Sequence, residues 1–337
     1  MKNLTITCAS ALLLLSGCAR TPVTATNDAA KVWFDAWLQI HEDNWTRTPL
    51  GCYITEDAPG TGAGVQEDTT GNRYLWVEYT ATTLEGSLNA YSDAASARQM
   101  NAYAPYNYYG PRIWQRGENT LYAGVEDALI GMKEGGRRRF VMPGWLGTYL
   151  RYKDEAAYLD KATGTAAIYD VKLVKIIPDI VAWETDSLRS YLKAHFPEAG
   201  DTPVEDGFCY IRRKAAINDV PMTADSTYYI NYVARCLDGR VFDTSIRDTA
   251  EFYGIRSGTR AYGPVGIKWA ATADKITMGS SGSSVITGFA QTLLQMGRYE
   301  AGTGIFISTL GYKSTGSGNA IPPFSPLRFD IELCDNE

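Results

Sequence analysis

Apolar residues recur along this chain with two periods, and the two periods alternate in an order that occurs twice. In KVWFDAWLQI (31–40), Val32, Ala36 and Ile40 fall four apart, as on one face of a helix; in SLRSYLKAHF, Leu188, Tyr191 and Leu192 share a face, predicting a linking helix over about 186–196. Each run leads, after a turn-rich stretch, to a short apolar strand, GCYI (51–54) and GFCYI (207–211). Next comes a period-two strand, LWVEYTA (75–81) and YYINYVA (228–234), in which aromatic and β-branched residues alternate with others as a half-buried strand requires. A short helix follows in both copies, with Val125, Leu129 and Met132 in the first and Phe289, Leu293 and Met296 in the second at matching spacing. Gly135 and Gly297 are read as the ends of these helices. IYDVKL (168–173) and RFDIEL (328–333) close the copies as final strands. The repeated order implies a duplication.

Length agrees: 337 residues suit two domains better than one core. With 45% hydrophobic and 21% charged residues, both can be globular. The net charge of −6, without basic residues interleaved with aromatics, excludes nucleic acid as a partner class. The one basic run, Arg137 to Arg139, is expected on a solvated strand face. His41 and His195 are far apart and neither has a His or Cys at ligand spacing, so no metal site and no histidine-driven nucleophile is expected. The runs GTGAG (60–64) and GSSGSS (279–284) lack the lysine and the strand-then-helix frame of a phosphate loop and read as turns.

The first residues, MKNLTITCASALLLLSGC, place Lys2 before an apolar stretch too short to span a bilayer, the pattern of a signal peptide over 1–17. Leu15-Ser16-Gly17-Cys18 resembles the bacterial lipobox, which implies that Cys18 is lipidated and that residues 18–28 form a tether. Cys52, Cys209, Cys236 and Cys334 are expected as small buried hydrophobes, with no pairing readable from the sequence.

In the second copy YVARCLDGRVFDTS, VITGFAQTLLQM and GYKSTGSGNAIPPFSPLRFDIEL resemble the FKBP family of peptidyl-prolyl cis/trans isomerases. The resemblance runs over about 207–334. It implies an α+β fold of two tandem FKBP-like domains, each a twisted antiparallel sheet wrapped around one short helix, with linking helices: residues 29–178 carry a degenerate copy and 179–337 the isomerase-type copy. It also places Tyr232, Asp243 and Tyr312 as catalytic residues and Phe242, Val285, Ile286, Phe289, Ile321 and Phe329 as substrate-binding residues around a proline pocket. Phe289 stands where the family commonly has tryptophan, and Ala320 where a larger aliphatic is frequent.

Such a site needs no metal or cofactor. Rotation about an X-Pro bond faces a barrier of about 18–20 kcal/mol because the twist breaks amide resonance, and an apolar pocket that prefers the twisted form lowers it. The implied protein is a folding helper of the bacterial cell envelope, held by its lipid on the periplasmic side or at the outer membrane, acting on proline-containing peptides or unfolded envelope proteins. The alternative is a non-catalytic chaperone or peptide-binding lipoprotein. Two departures bear on this. The insert 246–275 is expected as a flap beside the pocket, and the first copy reads SLNAYS where FD is expected and lacks the IPP, so it is expected to be inactive. The tyrosine-rich YAPYNYYG (103–110) is either a peptide-binding surface or a loop packed on its own sheet.

Overall fold

A computed structural model describes residues 26–117, 119–199, 202–217 and 221–335; Cys18 and the signal segment lie outside the described residues. The first half runs α1 (Asp28–His41), β1 (Thr46–Arg47), β2 (Tyr53–Ala58), β3 (Tyr74–Thr82), β4 (Leu88–Tyr91), α2 (Ala94–Gln99), β5 (Arg112–Gln115), α3 (Ala123–Leu129), β6 (Arg137–Met142), α4 (Glu155–Lys161) and β7 (Ala167–Ile177). After α5 (Ile180–His195) come β8 (Phe208–Lys214), β9 (Thr227–Cys236), β10 (Val241–Thr244), α6 (Arg247–Phe252), β11 (Val265–Lys268), β12 (Thr277–Met278), β13 (Ser283–Ser284), α7 (Thr287–Leu294), β14 (Ala301–Phe306) and β15 (Leu327–Cys334).

The fold is α+β, with two antiparallel sheets. Their orders are β1-β2-β6-β7-β3-β4, with β5 also on β3, and β13-β12-β11-β9-β15-β14-β8, with β10 also on β9. The repeat seen in the sequence is thus a repeat of topology: β2-β6-β7-β3 and β8-β14-β15-β9 are the same four-strand path. Register matches as well. Ala81 faces Tyr169 on one side and Ala90 on the other; Ala234 faces Phe329 and Asp243. In both copies a serine latches the central strand: the Tyr79 amide donates to Ser92 Oγ at 2.9 Å and the Tyr232 amide to Ser245 Oγ at 3.0 Å.

The short helix lies very close to the sheet in the second copy. A Cβ on Gly288 would come within 2.4 Å of the Phe306 ring, and one on Gly304 within 1.8 Å of Thr292 Oγ1, so only glycine permits this approach. On the opposite face α5 lays Leu188 and Leu192, and the following residue Phe196, against Ile305 and Ile307. Covered on both faces, β14 is buried throughout. Each large aliphatic or aromatic side chain so removed from water contributes about 1.5–3 kcal/mol. The buried Glu184 of α5 ties the helix down, accepting from the Ser308 amide at 2.5 Å and its hydroxyl at 2.7 Å. Burial raises the Glu184 pKa above the ordinary glutamate value, against the pull of those two bonds.

Several expectations are corrected. Helix α1 buries Phe34 and Leu38, not Val32, Ala36 and Ile40; Val32 and Ile40 are 71% and 79% exposed. The aromatic face wins because it has more apolar area to hide, and Phe34 sets its ring edge-on to Trp145 at 5.4 Å. Helix α5 begins at Ile180, six residues before the predicted 186, because Asp179 caps it by accepting from the Val181 and Ala182 amides. Arg138 is buried, not solvated: it pairs with Asp57 and donates to the Ala128 and Ile130 carbonyls at the end of α3. Arg137 and Arg139 do face solvent, paired with Asp170 and Glu56. Gly131, at φ +78°, follows α3, whereas Gly135 turns the chain into β6; Gly297 is not left-handed but close-packed against Ala216. Cys52, Cys209 and Cys236 are buried, while Cys334 is only partly so; all four are free thiols. His41 and His195 are exposed, the first stacked on Trp37 and the second tilted against Tyr191.

Candidate active site

The predicted site residues of the second copy converge on one aromatic box. Strand β9 turns Tyr232 inward, β15 supplies Phe329 beside it, and α7 places Phe289 beneath both. Phe289 meets Tyr232 at 6.0 Å and Phe329 at 5.3 Å, edge to face in each case. Phe242 of β10 stands edge-on to Phe329 at 5.9 Å and to Tyr312 at 6.5 Å. Ile321 is buried in the same cluster, and Val285 and Ile286 pack at its rim, with Ile286 at the N-cap of α7. Tyr232, Phe289, Ile321 and Phe329 form a buried floor; Phe242, Val285, Ile286 and Tyr312 are half-buried around it.

The loop after β14 brings Tyr312 and Ile321 together because it folds back on itself. The Ser317 amide donates to the Ile321 carbonyl at 2.7 Å, the Ile321 amide to the Ser317 carbonyl at 3.1 Å, and the Phe324 amide to the Lys313 carbonyl at 2.9 Å. Gly316, at φ +66°, makes the fold-back possible: a Cβ there would come within 2.3 Å of the Ile321 carbonyl oxygen.

An ion pair borders the box. The Tyr232 hydroxyl donates to Asp243 Oδ2 at 2.7 Å and accepts from Arg260 Nη2 at 2.7 Å, while Arg260 Nη1 pairs with Asp243 Oδ1. Burial raises the Tyr232 pKa well above the usual phenol value, and the Asp243 carboxylate adds to this, so the hydroxyl keeps its proton. Tyr312 is raised for the same two reasons in the same order.

Arg260 was not found by sequence reasoning, although it lies in the insert 246–275. That insert is no free flap. It forms α6, a counterpart of α2, then returns Arg260 to Asp243 and pairs β11 with β9. The readable signal was VGIK (265–268), whose apolar Val265 and Ile267 alternate as in a strand. The tyrosine-rich loop 103–110 packs on neither its own sheet alone nor open solvent. The Tyr108 amide donates to the Asn319 carbonyl at 2.8 Å, Arg240 Nη1 donates to the Tyr106 carbonyl at 3.1 Å, and the Arg240 guanidinium lies 5.0 Å from the Tyr108 ring.

In the first copy the corresponding positions carry different chemistry. By register Ala90 stands for Asp243, and the residue before it, Asn89, for Phe242; at the helix, Val125 stands for Phe289 and the N-cap Tyr122 for Ile286. Tyr79 and Tyr169 keep the places of Tyr232 and Phe329, but no acid stands at the Asp243 position and no aromatic at the Phe289 position.

Among the described residues no three His, Cys, Asp or Glu side chains are grouped to hold a metal ion, and no helix is long and apolar enough to cross a membrane. Residues 266–334 match the family model of FKBP-type peptidyl-prolyl cis-trans isomerases. No curated protein matches the chain. Among solved structures, the three FKBP domains of wheat FKBP73 align at 13% identity over 84% of this chain and 94% of that one, with a TM-score of 0.29. A peptidyl-prolyl cis-trans isomerase of Pseudomonas syringae pv. tomato aligns at 20% identity over 46% and 94%, with a TM-score of 0.30. FkpA of Escherichia coli aligns at 20% identity over 46% and 62%, with a TM-score of 0.29.

Proposed function

With a segment of the FKBP-type peptidyl-prolyl cis-trans isomerase family in its second half, the chain, we propose, is an isomerase that works at the aromatic box of that half. The observation that carries this reading is the convergence of Tyr232, Asp243 and Tyr312 on the single box formed by Phe242, Phe289, Ile321 and Phe329. A proline ring enters over Phe289 between Phe242 and Tyr312. Buried aromatic walls strip water from the imide and favour the twisted amide, whose carbonyl has lost resonance. The Ile286 amide at the start of α7 holds one substrate carbonyl and the Tyr312 hydroxyl another, while Asp243 orients Tyr232. The client is an unfolded or extended protein of the bacterial envelope, and the chain is held at the membrane by a lipid on Cys18.

A second reading, a peptide-binding chaperone without useful turnover, has one observation in its favour: Arg260 already satisfies both Asp243 and the Tyr232 hydroxyl. A proline-limited isomerisation assay on a short X-Pro peptide separates the two. The isomerase reading expects acceleration that falls about ten-fold in Asp243→Ala and in Tyr312→Phe, the loss of about one polar interaction, ~1.4 kcal/mol, at the transition state. Folded protein without acceleration sinks it and leaves the chaperone. Export and lipidation are tested by labelling cells with a radioactive fatty acid: label retained by Cys18→Ser rejects the anchor.

A further inference from the structure

The first copy has alanine at the position of the acid and valine at that of the helix phenylalanine, and the space those side chains would fill is open. A cavity of about 790 Å³ lies between α3 and the sheet, at the place the aromatic box occupies in the second copy. Tyr79, Trp114, Tyr122, Tyr149 and Tyr169 line it, and among the described residues no lysine, arginine, histidine, aspartate or glutamate does. Tyr79 and Trp114 lie with ring centroids 4.8 Å apart, Tyr122 and Tyr149 4.6 Å apart. The phenols are close enough that Tyr122, Tyr79 and Tyr149 all bear on the Tyr169 hydroxyl. Val125, where the second copy has Phe289, leaves the floor low.

The wall is completed from the other half of the chain. Phe324 holds a left-handed φ of +57°, a costly conformation for an aromatic residue, and its ring meets Tyr74 edge-on at 5.3 Å instead of packing on its own sheet. Ser314, Pro323 and Phe324 line the cavity, while Tyr312 and Ile321 of the same loop face the aromatic box. One loop therefore borders both places.

We propose that this cavity is a second, non-catalytic binding site that takes an uncharged, proline-containing stretch of extended polypeptide and holds it beside the isomerase box. Three features select that ligand. The described lining carries no charge and so cannot repay the desolvation of a charged ligand. Tyrosine and tryptophan faces match the pyrrolidine ring, as in other grooves that read extended proline-rich chains. A proline brings a carbonyl acceptor and no N–H, which fits a wall of phenol and threonine hydroxyl donors. β4, with Asn89 and Ala90 at the cavity, is an edge strand along which an extended chain can run. With Ala90 in place of Asp243, the site binds without polarising its ligand. The inference deepens the proposed function, and it is read out by binding, not turnover.

The test uses the full chain and an uncharged Ala-Pro repeat peptide, blocked at both ends and carrying a photoreactive diazirine, with cross-links mapped by mass spectrometry. Cross-links are expected at 113–125 and 147–169. They should fall at least ten-fold in Val125→Phe, which supplies the floor the second copy has. Tyr149→Ala, at a half-exposed position that disturbs no core, guards against misfolding of that variant and should weaken cross-linking several-fold. Asp243→Ala should leave these cross-links intact while lowering isomerisation. Absence of isomerisation together with cross-links sensitive to Val125→Phe would reject the enzyme and keep the site. Cross-links confined to the second half, or unchanged in both Val125→Phe and Tyr149→Ala, overturn the inference. Protection of 113–125 by maltohexaose but not by unlabelled peptide also overturns it, in favour of a carbohydrate.

Discussion

Replacing Gly304 by alanine is expected to loosen the helix on which the aromatic box rests. The new Cβ would sit 1.8 Å from Thr292 Oγ1, 2.9 Å from its Cβ and 3.0 Å from its Cγ2. The strand cannot retreat, because β14 is paired at this residue with Phe329 on one side and Tyr210 on the other. Nor is the hydroxyl free to swing: Thr292 is fully buried and donates to the Gly288 carbonyl at 2.8 Å. Breaking that bond costs about 1 kcal/mol, and pushing α7 outward against its packing costs about 1–3 kcal/mol more. A loss of about 3 kcal/mol follows, with Phe289 and Ile286 carried out of place. Because the two halves need not unfold together, the loss should be read locally, from amide exchange of α7 and β14 at rising urea. Thr292→Ala deletes two of the three clashing atoms. In the double variant, exchange should recover by about 1–2 kcal/mol relative to additivity. If Gly304→Ala alone costs less than about 0.5 kcal/mol, or if the two changes simply add, helix-to-sheet contact at this glycine is not what seats the box.

Three further outcomes are expected. Glu300 is almost wholly buried and accepts from the Tyr210 hydroxyl at 2.5 Å, the Gly297 amide at 2.9 Å and Arg212 Nε at 2.9 Å; burial alone would raise its pKa, but these donors outweigh it and hold the carboxyl below its ordinary 4.5. Its stabilisation is therefore present above about pH 4.5 and lost as pH falls through the lower folded value, so Glu300→Gln should cost about 1–3 kcal/mol at pH 7 and progressively less in acid, measured by urea unfolding across pH. Burial pushes the Cys209 and Cys236 thiols up to about 11, so of the four described cysteines Cys334 should react first with a maleimide at pH 8; prior labelling of Cys209 in folded protein would contradict the packing of α5. Tyr232 keeps its proton beyond the usual phenol range, so the isomerisation rate should show no step between pH 8 and about 10, and a fall across that window would mean the hydroxyl is solvated.

The strands were legible in the sequence because their signal is local, and the box residues because the resemblance of the second copy to the FKBP family places them. Period two in β3 and β9 follows from alternate burial, and the nine residues named for the second copy do converge. What the sequence did not yield depends on partners far along the chain. Helix α1 has two apolar faces, and only the tertiary contact of Phe34 with Trp145 and Tyr53 decides between them. Arg138 read as one of three solvated arginines until the end of α3 supplied it with carbonyls to bind. Arg260 was hidden for the same reason: its partners, Asp243 and Tyr232, lie 17 and 28 residues back, with a helix between.

The two copies also show how little must change to separate a filled box from an open one. Topology, register and serine latch are shared, so the frame is held by β3 with Ser92 in one copy and β9 with Ser245 in the other. Asp243, Phe242 and Phe289 occupy positions where the first copy carries Ala90, Asn89 and Val125. Each exchange removes side-chain volume or charge from the same wall, and none touches a strand-pairing backbone group. Absence of the acid and the presence of a cavity go together, because alanine and valine in place of Asp243 and Phe289 leave room for a larger uncharged guest. Phe324 fits this account: a residue of the second copy in a strained conformation is placed where the first copy has lost a wall, and its position keeps the guest side by side with Tyr312 on the same loop.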